Sequence, residues 1–198
     1  KVTIPVEYVF IEDKEINYFR YKRIEHTITQ LQMQSEVVDS NSLTMKLNFI
    51  NPVKELYFVV QNQSNVAPDQ NDWFNFTNET FTDNPRTHQL SDLKLDFNNE
   101  TYLDPDISDA LFMYAIQPMN KHTRVPGRLF YTYSFALDPE NYRPTGQVNM
   151  SRIQNKLLTM NLTPYTGIRD VRVYAKSYNI LRIENGLAGV LFIDNNYY

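Results

Sequence analysis

A two-residue rhythm constrains this chain more than any other feature. In Leu43-Thr44-Met45-Lys46-Leu47-Asn48-Phe49, apolar and polar residues alternate without a break. Successive side chains of an extended strand point to opposite faces, so such a segment buries one face and wets the other. The same pattern runs through residues 2–11, 27–38, 90–97 and 130–137. Residues 56–61 are instead a short, nearly continuous apolar run, suited to a strand covered on both faces. Two long strands are predicted over 147–162 and 171–183, and a shorter one over 187–193. In the second of the long strands Val171, Val173, Ala175 and Ser177 share a small, largely apolar face. Arg172, Tyr174, Lys176 and Tyr178 share a large amphipathic one, which suits a contact with another layer or subunit.

Helical signals are few. Asp104-Pro105-Asp106-Ile107-Ser108-Asp109 offers an acidic N-cap, an early proline and carboxylates at the positive end of the dipole, with 110–119 as the continuation. A further helix or turn is expected at 14–21. All five glycines fall after residue 126, so the first 126 residues have no glycine for tight primed hairpin turns. Strands joined mainly by longer loops cross between sheets more readily than they meander. The expected fold is therefore all-β, a Greek-key or jelly-roll β-sandwich rather than an up-and-down barrel, with one or two short helices in its loops. At 198 residues it is read as a single domain over 1–198.

The stretch 62–90 is read as an elaborated surface loop. It is polar and Asn-rich, yet it carries Trp73, Phe74, Phe76 and Phe81. Four large aromatics so close together belong to a loop that packs on its own domain or on a neighbouring subunit, and these four are candidate interface residues.

Composition excludes several functions. Cysteine is absent, which removes disulfide scaffolding, thiol catalysis and Cys-ligated metals. A net charge of −4 without long charge runs argues against nucleic acid as the main partner. No apolar stretch approaches the roughly 20 residues of a spanning helix. His26, His88 and His122 stand far apart with no close-spaced partner and are read as exposed or structurally bonded; Asp104, Asp106 and Asp109 lack the glycine of a calcium loop and are read as helix caps. There is no G-x-S-x-G elbow and no phosphate-binding glycine loop opening a helix, so neither a catalytic residue nor a cofactor or metal site is assigned. Six N-x-S/T sequons occur, where about two or three are expected by chance. Asn75 and Asn78 are the loop sites open to glycosylation.

One string stands out: Ser134-Phe135-Ala136-Leu137-Asp138-Pro139-Glu140-Asn141-Tyr142-Arg143-Pro144-Thr145-Gly146-Gln147-Val148-Asn149-Met150-Ser151-Arg152. Pro144 fixes a corner, Gly146 permits a backbone conformation costly for other residues, and Asn149, Ser151 and Arg152 bring hydrogen-bonding side chains into a strand. This string resembles the segment "sFAL … xPsGxxNxSR" of the major capsid proteins of nucleocytoplasmic large DNA viruses. The segment from Tyr174 to Gly189, with Asn179, Arg182 and Gly186, is similar to that family's closing strand. Pro52-Val53-Lys54-Glu55-Leu56 resembles an earlier one, and Val6-Glu7-Tyr8-Val9-Phe10 its opening strand.

The resemblance implies a structural, non-enzymatic shell protein built from two successive eight-stranded antiparallel jelly-roll β-sandwiches, of which this chain would be the C-terminal one, with Lys1 at the junction. It implies a homotrimer forming a pseudo-hexagonal capsomer of an icosahedral virion capsid, assembled in the host cytoplasm. The implied partners are copies of itself, neighbouring capsomers, minor capsid proteins and inner viral membrane proteins, without direct contact to nucleic acid. The motif residues would then be architectural. A competing expectation is a carbohydrate- or receptor-binding viral jelly-roll domain, with Trp73 as its aromatic platform.

Overall fold

Ten strands form two antiparallel sheets in the computed structural model, which describes residues 2–78 and 87–192. In chain order they are β1 (Ile24–Val38), β2 (Ser42–Lys46), β3 (Pro52–Asn62), β4 (Leu90–Phe97), β5 (Glu100–Leu103), β6 (Tyr131–Ser134), β7 (Val148–Asn149), β8 (Lys156–Leu162), β9 (Arg169–Glu184) and β10 (Leu187–Val190). One sheet runs β1-β9-β3-β6, with β10 added to β9 and β7 to β3; the other runs β2-β8-β4-β5. Consecutive strands thus fall alternately in opposite sheets at the start of the chain, and the two four-strand paths have the order of an eight-stranded jelly roll. The chain divides into two compact units, residues 29–178 and a smaller one of 1–28 with 179–198.

The core of the larger unit follows from the alternation. Leu43 and Met45 of β2, Leu93 and Leu95 of β4, and Leu158 and Met160 of β8 meet Leu56, Phe58 and Val60 of β3 and Val171, Val173 and Ala175 of β9 in one buried cluster. Four successive residues of β3, Val53 to Leu56, are buried, which pure alternation forbids. The register against β9 shifts between Val53 and Glu55, a bulge at Lys54; Glu55 then pairs with Lys176 on the face that carries Tyr57, and His122 covers it there.

Several sequence expectations need correction. Residues 2–11 alternate but form no strand and lie exposed throughout. The predicted strand 147–162 is interrupted: after β7 the chain turns through a 3-10 turn, Met150–Arg152, before β8 begins. The expected strand 130–137 stops at Ser134, because the Phe135 and Ala136 amides both turn onto the Lys54 carbonyl (2.9 and 3.2 Å). No helix starts at Asp104. Its carboxylate accepts from the Asp106 amide in a local turn (3.0 Å), and the helix begins after Asp109, whose carboxylate accepts from the Phe112 amide (2.8 Å). The helix then passes through a π turn, Phe112–Ile116, into α2 (Gln117–Lys121). Pro118 has no N–H to give to the preceding turn, consistent with the widened backbone just ahead of it.

Tight hairpins also occur without the expected glycines. β4 and β5 join through Asn98 and Asn99, both with positive φ (52° and 71°). Asparagine tolerates this region because its short side chain bonds locally. Here Asn98 Oδ1 accepts from the Gln154 and Asn155 amides, both at 3.1 Å. In the smaller unit Asn185-Gly186 makes the β9–β10 turn with φ of 54° and 74°, a primed hairpin turn. The same unit holds α1 (Asp13–Tyr21), which has a Glu12/Glu15 capping box and no buried residue.

Candidate functional site

The capsid-like string builds a joint at the edge of the β1-β9-β3-β6 sheet. Gly146 has φ of 155°, and a Cβ there would lie 2.8 Å from the Phe135 carbonyl oxygen, so two backbones approach where a side chain has no room. Pro144 is exposed on the loop before it. Asn149 Oδ1 accepts from the Ser151 amide (3.1 Å), and Ser151 Oγ accepts from the Asn51 amide (2.7 Å). Asn51 itself sits at φ of 66° and its carbonyl receives the Met150 amide. These side chains therefore close a turn, not a strand; Arg152 lies exposed beside it. In the smaller unit Asn179 clamps Phe192, donating to its carbonyl (2.6 Å) and accepting from its amide (3.2 Å). Arg182 and Arg23 both reach Glu25 Oε1, at 2.9 and 2.5 Å. The Arg23 bond, followed by the Arg182 one, holds that exposed carboxyl below its usual range.

Residues 62–78 of the elaborated loop are held down by polar groups. Gln61 donates to the Trp73 carbonyl (2.8 Å), Asn65 to the Asn75 carbonyl (3.3 Å), and Gln89 to both Asn62 Oδ1 (2.8 Å) and the Thr77 carbonyl (2.7 Å). Gln89 also accepts from the fully buried Arg169, which donates further to Asn41 Oδ1 (2.6 Å) and the Thr163 carbonyl (2.9 Å). At the sequons, Asn78 Nδ2 donates to Thr163 Oγ1 (3.3 Å) and the Pro164 carbonyl (3.0 Å), so the nitrogen a glycan would occupy is engaged. Asn75 Oδ1 accepts from the Thr77 amide and hydroxyl. Phe81 lies outside the described residues.

Trp73 and Phe74 are more than half exposed, and Phe76 is half-buried. The indole N–H of Trp73 is taken by Asn71 (2.5 Å). Phe74 and Phe76 border an open groove of about 690 Å³ on the outward face of the sheet. Leu31, Val59, Phe130 and Tyr174 line its floor, with Arg128 and Lys176 among its lining residues. The amphipathic face of residues 171–178 contributes Tyr174 and Lys176 to it, whereas Tyr178 is buried.

The histidines are structural in different ways. His122, at the end of α2, donates from Nε2 to the fully buried Glu55 and places Nδ1 3.3 Å from Glu140 Oε1. Tyr57 Oη also donates to Glu55 (2.5 Å). Burial, reinforced by that carboxylate, pushes the Tyr57 phenol well above its ordinary value. The Thr123 amide, with smaller contributions from the Thr123 hydroxyl and His122, holds Glu140 below the usual carboxylate range. Sequence reasoning missed this seam because Lys54-Glu55 looks like an ordinary solvated pair; only the return of the chain at His122 covers Glu55. His88 packs on Tyr114 and Tyr131 and is held low by burial. His26 is exposed. Among the described residues no group of three His, Asp or Glu is placed to hold a metal ion.

Two facing sheets in this strand order define a jelly-roll β-sandwich. The family model for the large eukaryotic DNA virus major capsid protein matches residues 15–189, and the chain belongs to that family. It is 30% identical over 200 residues to probable capsid protein 4 of Acanthamoeba polyphaga mimivirus, covering 94% of this chain and 38% of that protein. It is 28% identical over 211 residues to the major capsid protein of Pyramimonas orientalis virus, covering 94% and 48%. The fold is that of the PBCV-1 virus capsid protein (TM-score 0.75, 22% identity, 94% of this chain and 56% of that one). It also matches the Faustovirus major capsid protein (TM-score 0.69, 17% identity, 88% and 36%). The chain thus spans about half or less of the length of the curated relatives named here.

Proposed function

We propose that this chain is the C-terminal jelly roll of a two-roll major capsid protein that trimerises into pseudo-hexagonal capsomers of an icosahedral shell. The observation that carries the self-assembly is the outward aromatic face of the β1-β9-β3-β6 sheet, since contiguous apolar surface of this kind marks a contact with another protein. The family membership and the half-length match to its relatives support the two-roll reading. On this reading the protein has no catalytic role, and Pro144, Gly146, Asn149, Ser151, Arg152, Asn179, Arg182 and Gly186 do architectural work. Its partners are two further copies, neighbouring capsomers, minor capsid proteins and proteins of an inner viral membrane; it is assembled in the host cytoplasm and resides in the virion capsid.

Mass photometry of the full-length protein is expected to give a trimer, and negative-stain images a hexagonal outline. Monomer alone at every concentration tried overturns the reading. A glycan-binding reading rests on the exposed Trp73; binding on a glycan array that disappears in Trp73→Ala would favour it over the shell reading.

A further inference from the structure

The smaller unit leaves large apolar residues uncovered. In residues 2–11 Val2, Ile4, Val6, Tyr8 and Phe10 alternate with Thr3, Pro5, Glu7, Val9 and Ile11, so the extended chain carries five large apolar side chains on one face. All five lie in water: Val6, the least exposed, is 65% accessible and Phe10 97%. The backbone of the segment has no ladder partner among the described residues. α1 follows with Ile16 and Phe19 on one side of the helix, and it too buries nothing. Residues 6–11 are rich in β-formers, carry one charge and contain no proline. Left bare, such a strand is a template for aggregation, so the assembled protein must cover it. Both four-strand paths of the roll are complete without it. The family match begins only at residue 15, beyond the segment. The chain spans less than half of the two capsid relatives named above, which leaves length for the further roll that the proposed function places ahead of Lys1.

We infer that residues 2–11 are the last strand of that preceding roll, with Val2, Ile4, Val6, Tyr8 and Phe10 turned into its core, and that α1 is the connector between the two rolls. Pro5 has no N–H to give a ladder, and it stands near the start of the segment, where a strand tolerates it. Because the segment is joined directly to the preceding roll, it meets that roll at a far higher effective concentration than it meets another copy. The inference rests on the two-roll reading proposed above and moves the boundary between the rolls from Lys1 to α1.

The test is hydrogen exchange of the full-length protein, read peptide by peptide in a mass spectrometer. Amides of residues 6–11 should exchange at least about 100-fold more slowly than in a free chain. Tyr8→Asp places a charge on the apolar face. It should speed exchange in the residues ahead of Lys1 at least about tenfold and leave β3, β4 and β8 as protected as in the wild type. Glu7→Lys, on the other face, should have no such effect, and an equal one would refute the facing. Free-chain exchange of residues 6–11 in a full-length protein that trimerises overturns the inference and leaves the two-roll reading standing. A Tyr8→Asp variant that loosens β1, or that leaves the residues ahead of Lys1 unchanged, overturns it as well, because the segment then pairs elsewhere. A full-length protein that shows no second roll ahead of Lys1 by electron cryomicroscopy sinks the two-roll reading itself.

Discussion

The two sheets treat their inner faces alike and their outer faces differently. Outside the β2-β8-β4-β5 sheet, polar side chains pair with one another: Thr44 with Thr159 (3.2 Å), Ser42 with Asn161 (3.2 Å) and Asn161 with Asp92 (2.7 Å) across strands, and Lys94 with Asp96 (2.9 Å) along β4. Outside the β1-β9-β3-β6 sheet the corresponding positions are Leu31, Val59, Tyr174 and Phe130. The first face satisfies its polar groups on itself and needs nothing further. The second leaves apolar area in water, with Arg128 and Lys176 beside it. On the function proposed above, the first face is finished within the chain and the second is the one left for assembly.

The largest effect is expected at the buried seam, which distinguishes the aromatic sheet internally. His122→Ala leaves the Glu55 carboxylate buried without its imidazole partner, and urea unfolding should show a loss of about 3–5 kcal/mol. A loss under about 1 kcal/mol would mean that the seam contributes no more than a surface pair. Next, the likeness of the inner faces predicts that Leu56→Ala in one sheet and Leu95→Ala in the other each cost about 2–5 kcal/mol. A urea slope that changes in one variant and not in the other would show that the two halves of the core do not unfold as one.

Between these and the surface lies Tyr131, whose hydroxyl accepts from the Gln89 and Leu90 amides, both at 3.1 Å. Burial pushes this phenol up to about 12, with the two amides opposing. In the unfolded chain it titrates near 10, so between about pH 10 and 12 the folded state holds a proton that the unfolded state has released. Stability attributable to Tyr131 is present below about pH 10 and falls by about 2–3 kcal/mol as pH rises through that window. Alkaline unfolding of the wild type against Tyr131→Phe measures it; identical pH slopes would remove the burial explanation.

The smallest effects separate the outer faces most sharply. Thr159→Ala is expected to cost at most about 1 kcal/mol through its lost cross-strand pair and to leave association unchanged. Tyr174→Ser, on the other sheet, should weaken association by a larger factor than it shifts the unfolding midpoint. A reversal of the two would exchange the roles assigned to the faces.

Much of the site was legible in the residues. The capsid-like string located the joint around Gly146 and Ser151, and the two-faced pattern after Val171 singled out Tyr174 and Lys176, which line the groove. What escaped was non-local. Residues 2–11 alternate as well as β2 does, yet alternation states only that a segment could pair and names no partner for it. The 147–162 stretch reads as one strand until Asn51, about a hundred residues earlier, is seen to dock on Met150 and Ser151 and turn the chain. The hairpin at Asn98-Asn99 was hidden because asparagine replaced the expected glycine. The burial of Glu55 could not be read, because it depends on His122, 67 residues further along the chain.

The sequence alone therefore determined which residues of each strand face the core, because that alternation is set by the local geometry of an extended backbone. Its motifs also pointed to the family. The tertiary structure decided which strands are neighbours, where the ladder slips, and which outward face is closed by its own hydrogen bonds and which remains apolar. Those outcomes depend on pairings between residues as far apart as β1 and β9, which no local pattern encodes.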